Sequence, residues 1–200
     1  VFTLSRLSSS LCVVVGLGNP GPDYERTRHN AGARVVRQWA QGQRRAFKAN
    51  RSFRSLVAQG ELDGRPFLLV LPQTFMNLSG VAVRAVVRRK AVPAGRLLVV
   101  HDDVALSLGT VRFKEGGSDG GHKGLASCIA HLGSPAFVRL RIGVGPRPDG
   151  QDLSDFVLER FRRSQEPAAR HALEAARQAL TLWLGQGTVS CMNRYNRRPV

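Results

Sequence analysis

The chain has 200 residues and carries 30 Lys+Arg against 14 Asp+Glu, a formal net charge of +16 with a pI near 11.5. Hydrophobic residues make up 42% and charged residues 22%, globular proportions that exclude a disordered chain and leave one domain as the expectation. Three scattered cysteines (Cys12, Cys128, Cys191) without a CxxC pattern exclude a disulfide framework or a zinc site and point to a reducing compartment, and no apolar run reaches the ~18 residues of a membrane span.

Residues 1–10, VFTLSRLSSS, are Ser-rich with one Arg and no acid. They read as an N-terminal extension. The expected compartment is the cytoplasm, with an organelle as the alternative if the extension is the remnant of a transit peptide. Residues 11–196 read as one domain. The β-branched run 11–15 predicts a buried strand ended by Gly16, followed by a Gly/Pro/Asn loop over 16–22. Asn30 or Thr27 is placed to cap a helix running to Gly42, with Ala33, Val36, Trp39 and Ala40 on one face. Basic residues crowd 44–54. Runs 55–59 and 66–71 predict paired strands joined at Asp63–Gly64, a favourable hairpin turn.

Residues 72–79 form a loop from which Ser79 or Asn77 starts a helix carrying Val83, Val86 and Val87. The apolar strand 97–100 runs into His101-Asp102-Asp103. A short strand over 110–114 precedes the Gly-rich stretch 116–124 and a helix to Leu132. Strand 138–144 is broken off by Pro146 and Pro148. Ser164 starts a helix with Leu173, Ala176, Leu180, Trp183 and Leu184 on one stripe, ended by Gly185. The basic tail 193–200 is expected to be mobile. Strands alternating with helices predict a three-layer α/β fold: a twisted mixed, largely parallel sheet with helices on both faces.

The positive charge suggests an anionic partner, with nucleic acid foremost; an Arg-rich composition without a specific partner is the alternative. No basic amphipathic helix with large apolar residues stands out, so a membrane surface is not expected. Gly16-Leu17-Gly18-Asn19-Pro20-Gly21 matches GxGxxG after a strand, which invites a dinucleotide-dependent oxidoreductase reading. That site needs a helix to begin inside the motif so that its amides meet the pyrophosphate. Pro20, Gly21 and Pro22 block a helix there. The loop reads better as a rigid support presenting Asn19 at the C-terminal edge of a strand.

His29 stands before a helix as a candidate general base, or as an ordinary exposed loop histidine. Asp102, at the end of an apolar strand, is placed for catalysis or for capping a turn. His122 lies in Gly-Gly-His-Lys-Gly, a loop that can wrap a phosphate with its amides or simply turn the chain. No HxxxH-type spacing joins His29, His101, Asp102 and His122, so no metal is expected.

Taken together, GLGNPG over 16–21, Tyr24-Glu25-Arg26-Thr27-Arg28-His29-Asn30-Ala31-Gly32, Phe75-Met76-Asn77-Leu78-Ser79-Gly80, His101-Asp102-Asp103, Gly120-Gly121-His122-Lys123-Gly124 and Arg139-Leu140-Arg141-Ile142-Gly143 resemble the bacterial-type peptidyl-tRNA hydrolases in order and spacing, over nearly the whole chain. The resemblance implies a monomeric, metal-independent esterase. It would cut the bond between a peptide and the 3′-terminal ribose of peptidyl-tRNA, recycling tRNA without a cofactor. It implies His29 as the base, Asp102 as its carboxylate partner, and Asn19 and Asn77 as the groups that orient substrate and water.

The resemblance further assigns Tyr24 and Phe75 to the substrate, and Lys114 and Arg141 to the tRNA 5′-phosphate at the acceptor end; Met76 and His122, which lie in the same motifs, are expected to bind substrate or tRNA. An activated ester needs neither a metal nor a covalent nucleophile: His29 would take a proton from water, and Asp102 would hold the useful tautomer. Two departures from the family pattern stand out. Lys123 occupies the place of an Asn, losing an acceptor while gaining a cation that can grip a phosphate. Ala105 replaces a later, peripheral carboxylate. These leave a second expectation open, a catalytically inactive RNA-binding relative on the same scaffold.

Overall fold

A computed structural model of the chain describes residues 11–196, so the N-terminal extension 1–10 and residues 197–200 lie outside the described residues. The elements in order are β1 (Cys12–Gly16), α1 (Ala31–Gly42), β2 (Lys48–Asn50), β3 (Ser55–Leu62), β4 (Arg65–Pro72), α2 (Ser79–Lys90) and β5 (Leu97–Ser107), then β6 (Val111–Glu115), α3 (Lys123–Leu132), β7 (Val138–Gly145), α4 (Leu153–Leu158), α5 (Glu166–Gln186) and α6 (Thr188–Tyr195). The seven strands form one sheet in the order β2-β3-β4-β1-β5-β7-β6. The central strands β4, β1, β5 and β7 are parallel, while β3 and β6 run against their neighbours.

The apolar runs alternate between two cores. Val14, Leu69 and Val100 face α1 and α5, whereas Val15, Val70 and Val99 face α2 and α3. A strand covered by helices on both faces can be apolar at every position, which is why these runs show no polar alternation. The predicted three-layer α/β architecture is the one observed. The hairpin is also as expected: Leu62 pairs Arg65 across Asp63–Gly64, both with positive φ, as a tight two-residue turn requires.

Three expectations are corrected and one segment left unassigned gains a strand. First, β5 does not stop at Val100. Its backbone continues to pair with β7 through His101 and Asp102, and both polar side chains are buried inside the strand because they find partners there. Second, the basic segment 44–54 contains the short edge strand β2, paired to β3. Third, Ser164 lies in a single 3-10 turn, and α5 begins at Glu166 with proline in its first turn and runs past Gly185 to Gln186. Gly187, at φ 81°, is the residue that ends it. Fourth, the tail is ordered through Asn196: α6 buries Cys191, and the Asn196 side chain bonds both the N–H and the carbonyl of Phe113 on β6.

Candidate active site

Successive connections leave β1 and β5 toward opposite sides of the sheet, the arrangement that opens a crevice at the C-terminal ends of parallel strands. No helix begins in the Gly16–Gly21 loop; the first is α1, ten residues later. What brings α1 so close to β5 is Gly32. A Cβ there would stand 2.1 Å from the Val100 carbonyl oxygen. Leu17 N–H donates to that same carbonyl at 3.0 Å, and Ala33 N–H donates to the Leu17 carbonyl at 2.9 Å. The loop, the helix start and the strand are thus laced together.

The turn ahead of α1 is held from the other side by Arg28, a fully buried cation. It donates to the Phe156 carbonyl at 3.1 Å, Glu159 Oε2 at 3.2 Å and Gln165 Oε1 at 3.0 Å, with its guanidinium 4.3 Å from the Phe156 ring centre. His29 is the next residue.

His29 Nδ1 lies 3.0 Å from both carboxylate oxygens of Asp102, and His122 Nε2 lies 3.0 Å from Asp102 Oδ1. His122 Nδ1 accepts from Gly124 N–H at 3.1 Å and Leu125 N–H at 3.2 Å. A ring nitrogen that accepts two amides carries no proton, so His122 is the Nε2–H tautomer and donates to Asp102. Burial pushes the Asp102 carboxyl up, but the electrostatic pull and hydrogen bonds of the facing His29 and His122 N–H groups override it and hold the group well below the usual carboxylate range. As an ionised acceptor, Asp102 fixes His29 with its proton on Nδ1 and its Nε2 lone pair free.

His101 donates from Nδ1 to the Asp102 carbonyl at 2.7 Å. Burial, assisted by His122, pushes its pKa down to about 3, so it is neutral. Ligand-capable atoms of His29, Asp102 and His122 lie within 4.8 Å of one another. In this arrangement the protons on His29 Nδ1 and His122 Nε2 occupy the space between them, and a cation would have to displace both.

These groups line a cavity of about 550 Å3. Asn19 closes one end. Its Oδ1 accepts from Met76 N–H at 2.8 Å, and its backbone is bracketed by Asn30, which accepts from Asn19 N–H at 2.8 Å and donates to the Asn19 carbonyl at 2.9 Å. Since an amide N–H can bond only the oxygen of a side-chain amide, the Asn19 NH2 is left for a ligand. Phe75, Met76 and Asn77 line the same end, with Phe75 and Asn77 exposed. Tyr24 stands outside the cavity wall, its ring edge-on to Phe75 at 6.5 Å.

At the opposite end are Lys114, Arg139 and Arg141. Arg141 Nε donates to Asp103 Oδ2 at 2.7 Å. Lys123 reaches across to Ser154 Oγ on α4 at 3.3 Å.

The glycine loop ahead of α3 does not form an open phosphate cradle. His122 caps Gly124 and Leu125, and Asp119 accepts from Gly121 N–H. Sequence reasoning also missed Arg28, the bracketing role of Asn30, and Arg139, whose buried guanidinium pins the loop through the Gly117 and Ser118 carbonyls. None of these has a local signal. The cleft helix α4 has one: Asp152 caps Ser154 and Asp155 at its start.

Residues 13–200 match the family model described as peptidyl-tRNA hydrolase. A peptidyl-tRNA hydrolase of Roseiflexus castenholzii is 47% identical over 188 residues, covering 94% of this chain and 87% of the relative. One of Carboxydothermus hydrogenoformans is 44% identical over 185 residues, covering 92% and 98%. The crystal structure of the peptidyl-tRNA hydrolase from Acinetobacter baumannii superposes with a TM-score of 0.88 at 33% identity, covering 94% of this chain and 95% of that one. With that agreement in sequence and fold around a buried His–Asp pair at the cleft, the chain belongs to the peptidyl-tRNA hydrolase family.

Proposed function

We propose that this chain cleaves the ester between the peptide and the 3′-terminal ribose of peptidyl-tRNA by direct attack of water, with His29 as general base. The observation that carries this reading is the chelated contact of His29 Nδ1 with both Asp102 oxygens, which leaves Nε2 as the basic nitrogen at the cavity. His29 Nε2 takes a proton from water as the oxygen attacks the ester carbonyl, and Asp102 stabilises the imidazolium that forms. The Asn19 NH2, its oxygen already engaged, donates toward the oxygen on which charge develops. His29 then returns the proton to the departing ribose hydroxyl.

Exposed Asn77 and Phe75 meet the peptidyl group. Lys114 and Arg141 hold the 5′-phosphate at the opposite end, and Lys123, released from Ser154, meets a phosphate of the single-stranded 3′ end. The test is release of N-acetyl-aminoacyl groups from tRNA by the purified chain. His29→Ala lowers kcat by about 10²–10⁴-fold, the usual share of a general base, while tRNA affinity is retained. A variant with unchanged kcat would remove His29 from the mechanism.

A further inference from the structure

On the far side of the Gly18–Gly21 loop lies a second cavity of about 590 Å3, within the ~300–1,000 Å3 typical of ligand sites. Its walls are that loop, the end of β4, the outer face of α1 and the start of α5. Five arginines converge on it, Arg26, Arg34, Arg37, Arg160 and Arg170, against two acids, Glu25 and Glu166. Among the described residues, the one ion pair within this group is Arg170–Glu166 at 3.7 Å. Arg34 is half-buried, and burial together with the neighbouring Arg26 charge lowers its pKa, with Glu166 offsetting only part of that. A guanidinium cannot relieve this by losing its proton, so the like charges persist at a cost that an anionic ligand would offset.

The order of strands indicates which anion. Lys114 on β6, Arg141 on β7, Asp102 on β5, Asn19 after β1 and Met76 after β4 follow the sheet in sequence. Asn19 lines both cavities and is the wall between them. On the catalytic reading above, tRNA enters over β6 and β7 and ends at the 3′ ribose beside His29. Beyond Asn19, about three strand spacings or ~14 Å from β6, only the peptide remains. Two or three extended residues at ~3.3–3.6 Å each reach from the ester into the arginine cavity.

We propose that this cavity is a subsite for the carboxylate side chains of the peptidyl group, two to three residues before the ester, and that it makes acidic peptides the preferred substrates. The inference rests on the proposed catalytic reading for its orientation. Arginine forks match carboxylates with paired hydrogen bonds, and a peptide carrying lysine at those positions meets like charge.

The test compares three substrates on one tRNA: acetyl-Glu-Glu-Ala, acetyl-Lys-Lys-Ala and acetyl-Ala. The wild-type chain is expected to favour the glutamate over the lysine substrate in kcat/KM by about tenfold, the sum of two partly exposed ion pairs. The Arg34→Gln/Arg37→Gln variant, and separately the exposed-site variant Arg26→Gln, bring that ratio toward one. Equal rates for the two charged peptides in the wild type, or a preference that survives both variants, would overturn the subsite. So would a variant that loses kcat/KM equally on all three substrates with a flatter salt dependence, since that assigns the arginines to RNA.

Turnover of acetyl-Ala-tRNA by the wild type tests the catalytic reading separately. Calorimetric titration with the free peptide acetyl-Glu-Glu-Ala tests the cavity without turnover. Binding weakened in the variants supports the subsite, and absent or unchanged binding overturns it.

Discussion

Asn19 illustrates how one hydrogen bond assigns a chemical role. A free asparagine offers both an acceptor and donors, but Met76 N–H consumes the acceptor, so only donors face the cavity. Asn19→Ala is therefore expected to lower kcat by about 10²–10³-fold, the usual loss for an oxyanion donor. Asn19→Asp keeps the bond to Met76 yet places a negative charge where the donor stood. It should lose at least as much rate while retaining the wild-type denaturation midpoint, and an active aspartate variant would refute the donor assignment.

His101 carries a different consequence. Its folded pKa is pushed down to about 3, against 6.5 unperturbed, so between those values the unfolded chain binds the proton and the folded chain does not. That stabilisation is complete above about pH 6.5 and is lost as the pH falls toward 3. Asp102, also depressed, adds a loss in more acid solution below the ordinary carboxylate range. In His101→Asn, which keeps a donor for the Asp102 carbonyl, the melting temperature should fall less steeply from pH 7 to 4; an unchanged slope would remove His101 from the pH dependence.

At the level of elements, the site depends on how closely α1 approaches β5. The glycine at 32 permits that approach, and His29 lies three residues ahead of it. Gly32→Ala drives a Cβ into the Val100 carbonyl, and the helix must move. Overpacking of this kind costs about 1–3 kcal/mol, and the shift separates His29 from Asp102. The denaturant midpoint and kcat should fall together. Gly42, at the other end of α1, has open space around its Cβ position, and Gly42→Ala should instead stabilise by about 0.5–1 kcal/mol. If both variants behave alike, helix propensity rather than close packing governs position 32. Arg28 serves the same alignment from the opposite side, tying α4 and the start of α5 to the turn that carries His29.

Across the whole molecule, the sheet lays out a polar axis: cations at β6 and β7, the His–Asp pair over β5 and β1, and asparagines toward β4. A net charge of +16 sets up a long-range field that raises association rates with an anionic partner and is screened by salt. Removing one phosphate contact should flatten the slope of log K against log salt by about 0.7–0.9. Lys114→Ala and Arg141→Ala are each expected to do so in tRNA-binding titrations, and unchanged slopes in both would refute the phosphate clamp. The arginine cavity, on the other side of Asn19, should leave that slope intact in Arg37→Gln.

Strand and helix types, the Asp63–Gly64 hairpin and the helix-blocking prolines of the first glycine loop were legible in the sequence because each depends on neighbours a few positions away, whereas the candidate site residues stood out only through the ordered motifs of the family resemblance. Periodicity and turn chemistry are local. The continuation of β5 through His101 and Asp102 was not legible, since the Asp102 carboxylate stays in a buried strand only because distant partners satisfy it: His29 is 73 positions away and His122 20. For the same reason, folding alone set the tautomer of His122, the donor role of Asn19, the closure of the glycine loop against phosphate and the meeting of arginines from the first loop, α1 and α5. Sequence supplies the functional groups, whereas which lone pairs and protons remain free is a property of contacts between segments far apart in the chain.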